Sequence, residues 1–315
     1  MAQASPQGLS GPGAMTPGPR QGPALAVDIG GTKMAAGVVD ASGSLLSREQ
    51  VSTPTGADAE GLLRALAEVI QRAVSSVEVE PVVCGVGCGG PMTAGGLEVS
   101  PLNISGWRRF PLRDRLAELV ELPVFVDNDA KALALGEGWL GAACGSRNFV
   151  AMVVSTGVGG GIVLDGRLLD GEHGNAGHIG HVVVEPEGRR CVCGGQGCLE
   201  AETSGLSIEA VTGRPAAEAP LEVRVRTGTL VGRAVATVAN LLDLELAVVA
   251  GSVALGFGEP FFHAAQEEIH RRSRLEFSRS TRIVPGGLGD SGPLVGAAAI
   301  GLLGSSRDQE TGDGQ

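Results

Sequence analysis

Asp28-Ile29-Gly30-Gly31-Thr32-Lys33 stands at the end of the apolar run Ala24–Ile29 and ahead of a second apolar run, residues 34–39. The first run reads as a strand and the second as its hairpin partner, followed by a turn at 40–43. Glycine at 30 and 31 removes the Cβ atoms that would block an approach to the backbone, so successive N–H groups can face an anion. Thr32 adds a hydroxyl, Lys33 an ammonium and Asp28 a carboxylate where a hydrated Mg²⁺ could sit. An ordinary tight hairpin has the same composition, and this stretch alone does not separate the two.

The pattern recurs. Ser155-Thr156-Gly157-Val158-Gly159-Gly160-Gly161 lies between strands expected at 150–154 and 162–164. It lacks the Gly-Lys-Ser/Thr ending of a P-loop and opens no helix, as a dinucleotide fingerprint would. Two strand–turn–strand loops of this kind resemble the actin and hexokinase superfamily, where they hold phosphates across a cleft. That resemblance implies an α/β fold of the actin-like ATPase (ribonuclease H-like) type, with two domains and an interdomain cleft. Gly251-Ser252-Val253, behind the apolar run Leu246–Ala250, is a third turn, weak by itself. In that superfamily a glycine here lets adenosine lie against the backbone. The expected ATP-binding set is therefore Asp28, Gly30, Gly31, Thr32, Lys33, Thr156, Gly157, Gly159, Gly160 and Gly251.

Working outward, further strands are expected at 81–86 and 124–126, and helices at 59–77, 113–119, 130–140, 232–242, 260–272 and 293–303. The repeated strand–turn–strand opening suggests two related α/β domains, 24–132 and 133–303, as a length of 315 residues also favours. Residues 1–23 hold five Gly and five Pro and read as a disordered extension, and 304–315 as a flexible tail. No apolar leader or membrane-length run is apparent, so a cytoplasmic protein without a membrane partner is expected. A net charge of −11 argues against a phosphate-contacting nucleic-acid surface. Glycine, at 51 residues, is abundant without a collagen period. Since 22 of the 24 basic residues are arginine, part of that abundance is read as genome bias.

Asp127-Asn128-Asp129-Ala130 joins the 124–126 strand to a helix. An N-cap explains one of its polar residues. A carboxylate at a strand end, opposite two phosphate loops, could instead take the proton from an attacking hydroxyl. Spacing does not choose between Asp127 and Asp129. His181, Cys191, Cys193 and Cys198 form H-x9-C-x-C-x4-C, with glycines that let the chain fold back. Four such ligands suit a structural, tetrahedral Zn²⁺ better than disulfides.

These segments, and above all Gly177-His178-Ile179-Gly180-His181 with Cys191-Val192-Cys193-Gly194-Gly195-Gln196-Gly197-Cys198-Leu199-Glu200, resemble the ROK family of sugar kinases and repressors from about residue 25 to 303. The resemblance implies ATP and Mg²⁺ as phosphoryl donor, a zinc-braced sugar site and a homodimer or homotetramer. It assigns Asp129 as catalytic base and Gly90, Asn103, Asn128, His178, His181 and Glu200 as sugar-binding residues, with His181 also on zinc. Glucose is the first expectation for the substrate, because segment 104–112 looks glucokinase-like. His178 stands where glucokinases of the family carry Glu and where N-acetylmannosamine kinases carry His, so an N-acetylhexosamine is the alternative. A repressor is disfavoured, since only 23 residues precede the first strand. Segment 206–229, with Pro215, Pro220 and a Val/Arg alternation, reads as poorly helical, which would weaken nucleotide binding or abolish activity.

Overall fold

The structure, a computed structural model, describes residues 22–312, with side chains as far as Ser306. The expected extension at 1–23 lies outside the described residues, apart from Gly22 and Pro23. In the first sheet β1 (Ala24–Ile29), β2 (Lys33–Val39) and β3 (Glu49–Ser52) form an antiparallel meander. On the other side of β1, β4 (Val83–Cys88) and β5 (Val124–Asn128) add in parallel, giving the order β3-β2-β1-β4-β5. The second sheet builds from β6 (Phe149–Val154), β7 (Val158–Leu164), β8 (Arg167–Leu168), β9 (Leu246–Ala250) and β10 (Arg282–Pro285) in the order β10-β9-β6-β7-β8. Its pairings are antiparallel and parallel at the same places. The recurrence in the sequence is thus a repeat of topology, as the actin-like fold requires.

Helices α1 (Ala59–Ser75) and α2 (Leu112–Val120) pack on the outer face of the first sheet, and α3 (Asp129–Trp139) lies between the sheets. Helices α4 (Leu199–Thr203), α5 (Gly205–Thr212), α6 (Leu221–Leu242), α7 (Ser252–Phe257) and α8 (Glu259–Arg272) belong to the second sheet's outer side, and α9 (Gly292–Gly312) returns to the middle layer. Helix α1 forms because Leu62, Leu66, Val69 and Ala73 recur on one face and Asp58 caps its start by accepting the Gly61 N–H at 2.7 Å. Alternation along β1 then divides its side chains. Leu25, Val27 and Ile29 enter the core under α1 and α2, while Ala24 and Ala26, with Asp28 in the same phase, face the middle layer. Small residues dominate that face because two helices press on it. A Cβ at Gly136 of α3 would sit 3.1 Å from the Gly296 Cα of α9, so the two helices cross almost backbone to backbone.

Four expectations change. Helix α9 runs on to Gly312 instead of ending at 303, so most of the expected tail is helical, and it covers the first sheet although it follows the second in sequence. The boundary drawn at 133 falls inside α3, which shares one core with α9 and both sheets. Strand β7 begins at Val158, so the glycine loop shortens to 155–157. Segment 206–229 is largely helical. Pro220 occupies the N-cap of α6, where it needs no N–H, and the arginines are spent around the helix. Arg224 donates to the Ala219 carbonyl at 2.8 Å and Arg226 pairs with Glu202 at 2.7 Å. The argument for a degraded nucleotide lobe therefore falls. Among the described residues no helix is long and apolar enough to cross a membrane.

Glu137 locks the middle layer. It is 1% exposed, and its carboxylate accepts the N–H groups of Ala142 at 2.7 Å, Gly287 at 3.0 Å and Leu288 at 3.3 Å. Glu137→Ala leaves these donors unsatisfied around a cavity and is expected to cost about 3 kcal/mol or more. Glu137→Gln, which keeps an acceptor, should lose clearly less. Urea unfolding of the two variants checks the order.

Candidate active site

Register places the polar ends of three neighbouring strands side by side, since Asp28 of β1 lies beside Gly87 of β4, and Gly87 beside Asp127 of β5. A Cβ on Gly87 would come within 3.5 Å of the Asp129 Cα and 3.9 Å of an Asp28 carboxylate oxygen, so glycine leaves the gap between the two acids open. Burial, with the Asp129 charge beside it, pushes Asp28 up to about 7, against Lys33 and Arg48. Burial also raises the Asp129 carboxyl, against the Ala130 N–H that it accepts at 2.8 Å. Asn128 caps α3, its Oδ1 accepting from the Ala130 N–H at 3.0 Å. The N-cap reading is therefore correct for Asn128, and Asp129 shares the same Ala130 donor.

Asp127 does different work from Asp129. Its Oδ1 meets Lys131 Nζ at 2.8 Å and accepts the Asn128 N–H at 2.7 Å. Burial raises Asp127 too, opposed by Lys131.

The first turn is held by its own hairpin and by Thr53, directly after β3, a strand not expected from the sequence. Gly30 N–H donates to the Lys33 carbonyl at 2.9 Å, and Thr53 donates its hydroxyl to the Gly30 carbonyl at 2.7 Å. Gly31, Thr32 and Lys33 are left exposed. A Cβ on Gly31 would lie 2.5 Å from the Asn103 Cβ, and one on Gly90 would lie 3.4 Å from Asn128 Nδ2. Gly30, Gly31, Gly90, Asn103, Asn128 and Asp129 are thus gathered at the ends of β1, β4 and β5.

The second turn, with Thr156 exposed and Gly157 half-buried, meets the third. Ser155 and Ser252 share a hydroxyl hydrogen bond at 2.9 Å, and Gly251 holds φ 99° against the Val154 carbonyl, where a side chain would clash. Neither serine pairing nor Thr53 carries a sequence signal, because each depends on which loops meet. Gly159 and Gly160 lie within β7 instead of a loop. A Cβ on Gly159 would be 3.0 Å from that of Ala130, and one on Gly160 2.9 Å from Ile179. Their smallness therefore brings α3 and the 177–181 segment against the strand.

That segment carries the histidines. The His178 and His181 ring centroids are 6.0 Å apart, and partial burial together with His181 lowers the His178 pKa, against Glu200. Glu200 accepts the Val158 N–H at 2.9 Å, tying the histidine and cysteine region to the second turn. A ring nitrogen of His181 and the sulfurs of Cys191, Cys193 and Cys198 all lie within 4.8 Å of one another. Cys191 is 3.7 Å from His181 Nδ1 and Cys193 is 3.8 Å from Cys198, close to the roughly 3.8 Å edge of a tetrahedron with 2.3 Å bonds. None of the four donors is spent on a disulfide, and the set fits a four-coordinate Zn²⁺.

With two sheets of the same topology, a cluster of polar strand ends and a histidine–cysteine group in place, the chain can be set beside known proteins. It is 38% identical to an N-acetylmannosamine kinase of Yersinia pseudotuberculosis over 255 residues, 75% of this chain and 85% of that one. The ROK hexokinase of Thermus thermophilus superposes with a TM-score of 0.79 at 35% identity, covering 90% of this chain and 99% of the hexokinase. A ROK family glucokinase from Streptomyces griseus, solved with glucose and AMPPNP, does so at 0.79 and 31%, covering 90% and 100%. The ROK family profile matches residues 24–302, from the first residue of β1 into α9, and the chain belongs to that family.

Proposed function

We propose that this protein is an ATP-dependent kinase that phosphorylates the 6-hydroxyl of an aldohexose or N-acetylhexosamine. The observation that carries the reading is the placement of Asp129, half-buried, without a cationic partner among the described residues and next to the gathered Gly90, Asn103 and Asn128. ATP with Mg²⁺ would supply the transferable phosphoryl group, held by backbone N–H groups of the turns at Gly30–Thr32 and Ser155–Gly157, with Asp28 toward the metal. Asp129 accepts the proton of the attacking hydroxyl as its oxygen bonds to phosphorus and the bond to the leaving diphosphate breaks. Asn103, Asn128, Gly90, His178, His181 and Glu200 orient the sugar, and His181 with Cys191, Cys193 and Cys198 would hold a zinc ion that fixes its ring.

Glucose remains the first acceptor to test, on the glucokinase-like segment 104–112. His178 favours the second reading, N-acetylmannosamine. An imidazole at this place can donate as well as accept, unlike a carboxylate, and so it changes which group at the C1–C2 edge of the ring is preferred. A panel of hexoses and N-acetylhexosamines with ATP, followed by product identification, tests the reading; no turnover with any of them would sink it. His178→Glu is expected to shift the ratio of kcat/KM between N-acetylmannosamine and glucose toward glucose by roughly tenfold.

A further inference from the structure

Lys131 is one of only two lysines in the chain, and it is almost fully enclosed, with its side chain 3% exposed. It rises from the first turn of α3, two residues after Asp129. Its ammonium bonds Asp127 at 2.8 Å, Asp170 at 2.8 Å and the Gly174 carbonyl at 3.3 Å. Neither proton transfer nor phosphate binding uses it.

Its distal partners belong to one closed turn. The Ala176 N–H donates to the Asp170 carbonyl at 2.9 Å, so residues 170–176 form a ring that delivers the chain to His178 two residues later. This turn leans across to the first half. Asn175 Nδ2 donates to the Met92 carbonyl at 3.3 Å, and a Cβ on Gly174 would be 3.5 Å from the Ala94 Cα. A cavity of about 640 Å³, lined by Met92, Asp127, Lys131, Asp170 and Gly174 among others, lies beside it. With open space there in place of a packed core, the turn depends on a few polar ties, and segments held in this way have low local stability.

We propose that Lys131 is a positioning residue for the sugar site: it straps the 170–176 turn to the start of α3 and so sets His178 and His181 against Asp129. The inference rests on the sugar-site reading given above. In the strapped state the histidines stand ready; without the strap the competent arrangement is one of several, and apparent sugar affinity falls by the fraction that remains competent. Once sugar is bound the turn is ordered again, so the chemical step is little changed.

Asp170→Asn and Lys131→Met are the test variants, and Asp170, at 54% side-chain exposure, can be changed with little risk to folding. Each is expected to raise the sugar KM roughly tenfold, with kcat and the KM for ATP within about twofold of wild type. The double variant should be no worse than the poorer single one, because both cut the same tie. A thermal midpoint for Asp170→Asn near that of wild type separates positioning from stability. An unchanged sugar KM in Asp170→Asn, while His178→Ala raises it, would overturn the strap. An unchanged sugar KM in His178→Ala itself would overturn the sugar-site reading and the strap with it.

Discussion

Asp129→Asn should lower kcat by roughly 10²- to 10⁴-fold while the sugar still binds. The amide has the shape of the carboxylate, and its oxygen can still accept the Ala130 N–H, which the carboxylate holds at 2.8 Å. What it loses is the capacity to take a proton. Asp127→Asn is the internal control. Asp127 is already engaged with Lys131 at 2.8 Å and with the Asn128 N–H at 2.7 Å, so its loss should cost far less in kcat. Steady-state rates with both variants, together with calorimetric sugar binding, decide the assignment; near wild-type kcat in Asp129→Asn would remove Asp129 from the mechanism. The pH dependence has a fixed sign. Burial raises Asp129, and a protonated base accepts nothing, so wild-type activity should decline on acidification from a pH above the ordinary carboxylate range.

Asp127 and Asp129 also show where sequence reading stops. The motif brought both to a helix start, and its spacing could not rank them. In the fold they differ through Lys131 and the neighbouring strand, which leave one acid paired and the other beside Asp28. Repeated strand–turn–strand runs made the two halves legible because apolar periodicity and glycine turns are local signals. The site of α9 was not legible, since its Gly and Ala pattern serves a tight crossing with α3 and the inner face of the first sheet, which only the fold brings together. The same cause explains part of the glycine abundance. Gly85, Gly136, Gly296 and Gly301 lie at helix–strand and helix–helix contacts that a Cβ would obstruct, so these positions are not merely compositional. Segment 206–229 misled for the opposite reason. Proline and alternating Val/Arg are valid local evidence against helix, yet Pro220 falls just before the first helical residue and Arg226 finds Glu202. The clustering of His181 with the three cysteines was the easiest feature to foresee, because one short stretch carries the whole set.

That loop supports the second large effect. Backbone hydrogen bonds frame it: Cys191 N–H donates to the Gly195 carbonyl at 2.9 Å, and Gly197 N–H to the Arg189 carbonyl at 2.8 Å. Arg189 is anchored in turn by Glu202 of α4 at 3.2 Å, just behind Cys198 and Glu200. Those ties hold the base of the knuckle, and His181 meets it through Nδ1, 3.7 Å from Cys191 Sγ. Coordination of Nδ1 would fix the ring and turn Nε2 toward the sugar. Cys193 is exposed at the tip, so Cys193→Ser removes a ligand without opening the core. The variant is expected to lose bound zinc, to melt about 5–10 °C lower, and to lose roughly 10- to 100-fold in kcat/KM for the sugar. The KM for ATP should change much less, because the turns at Gly30 and Ser155 are held by their own hydrogen bonds. Chelation of the wild type should reproduce both effects, and added zinc should reverse them. Elemental analysis showing an active, metal-free wild-type protein would refute the zinc brace, and an equal rise in the KM for ATP and for sugar would show that the knuckle supports the lobe as a whole instead of His181.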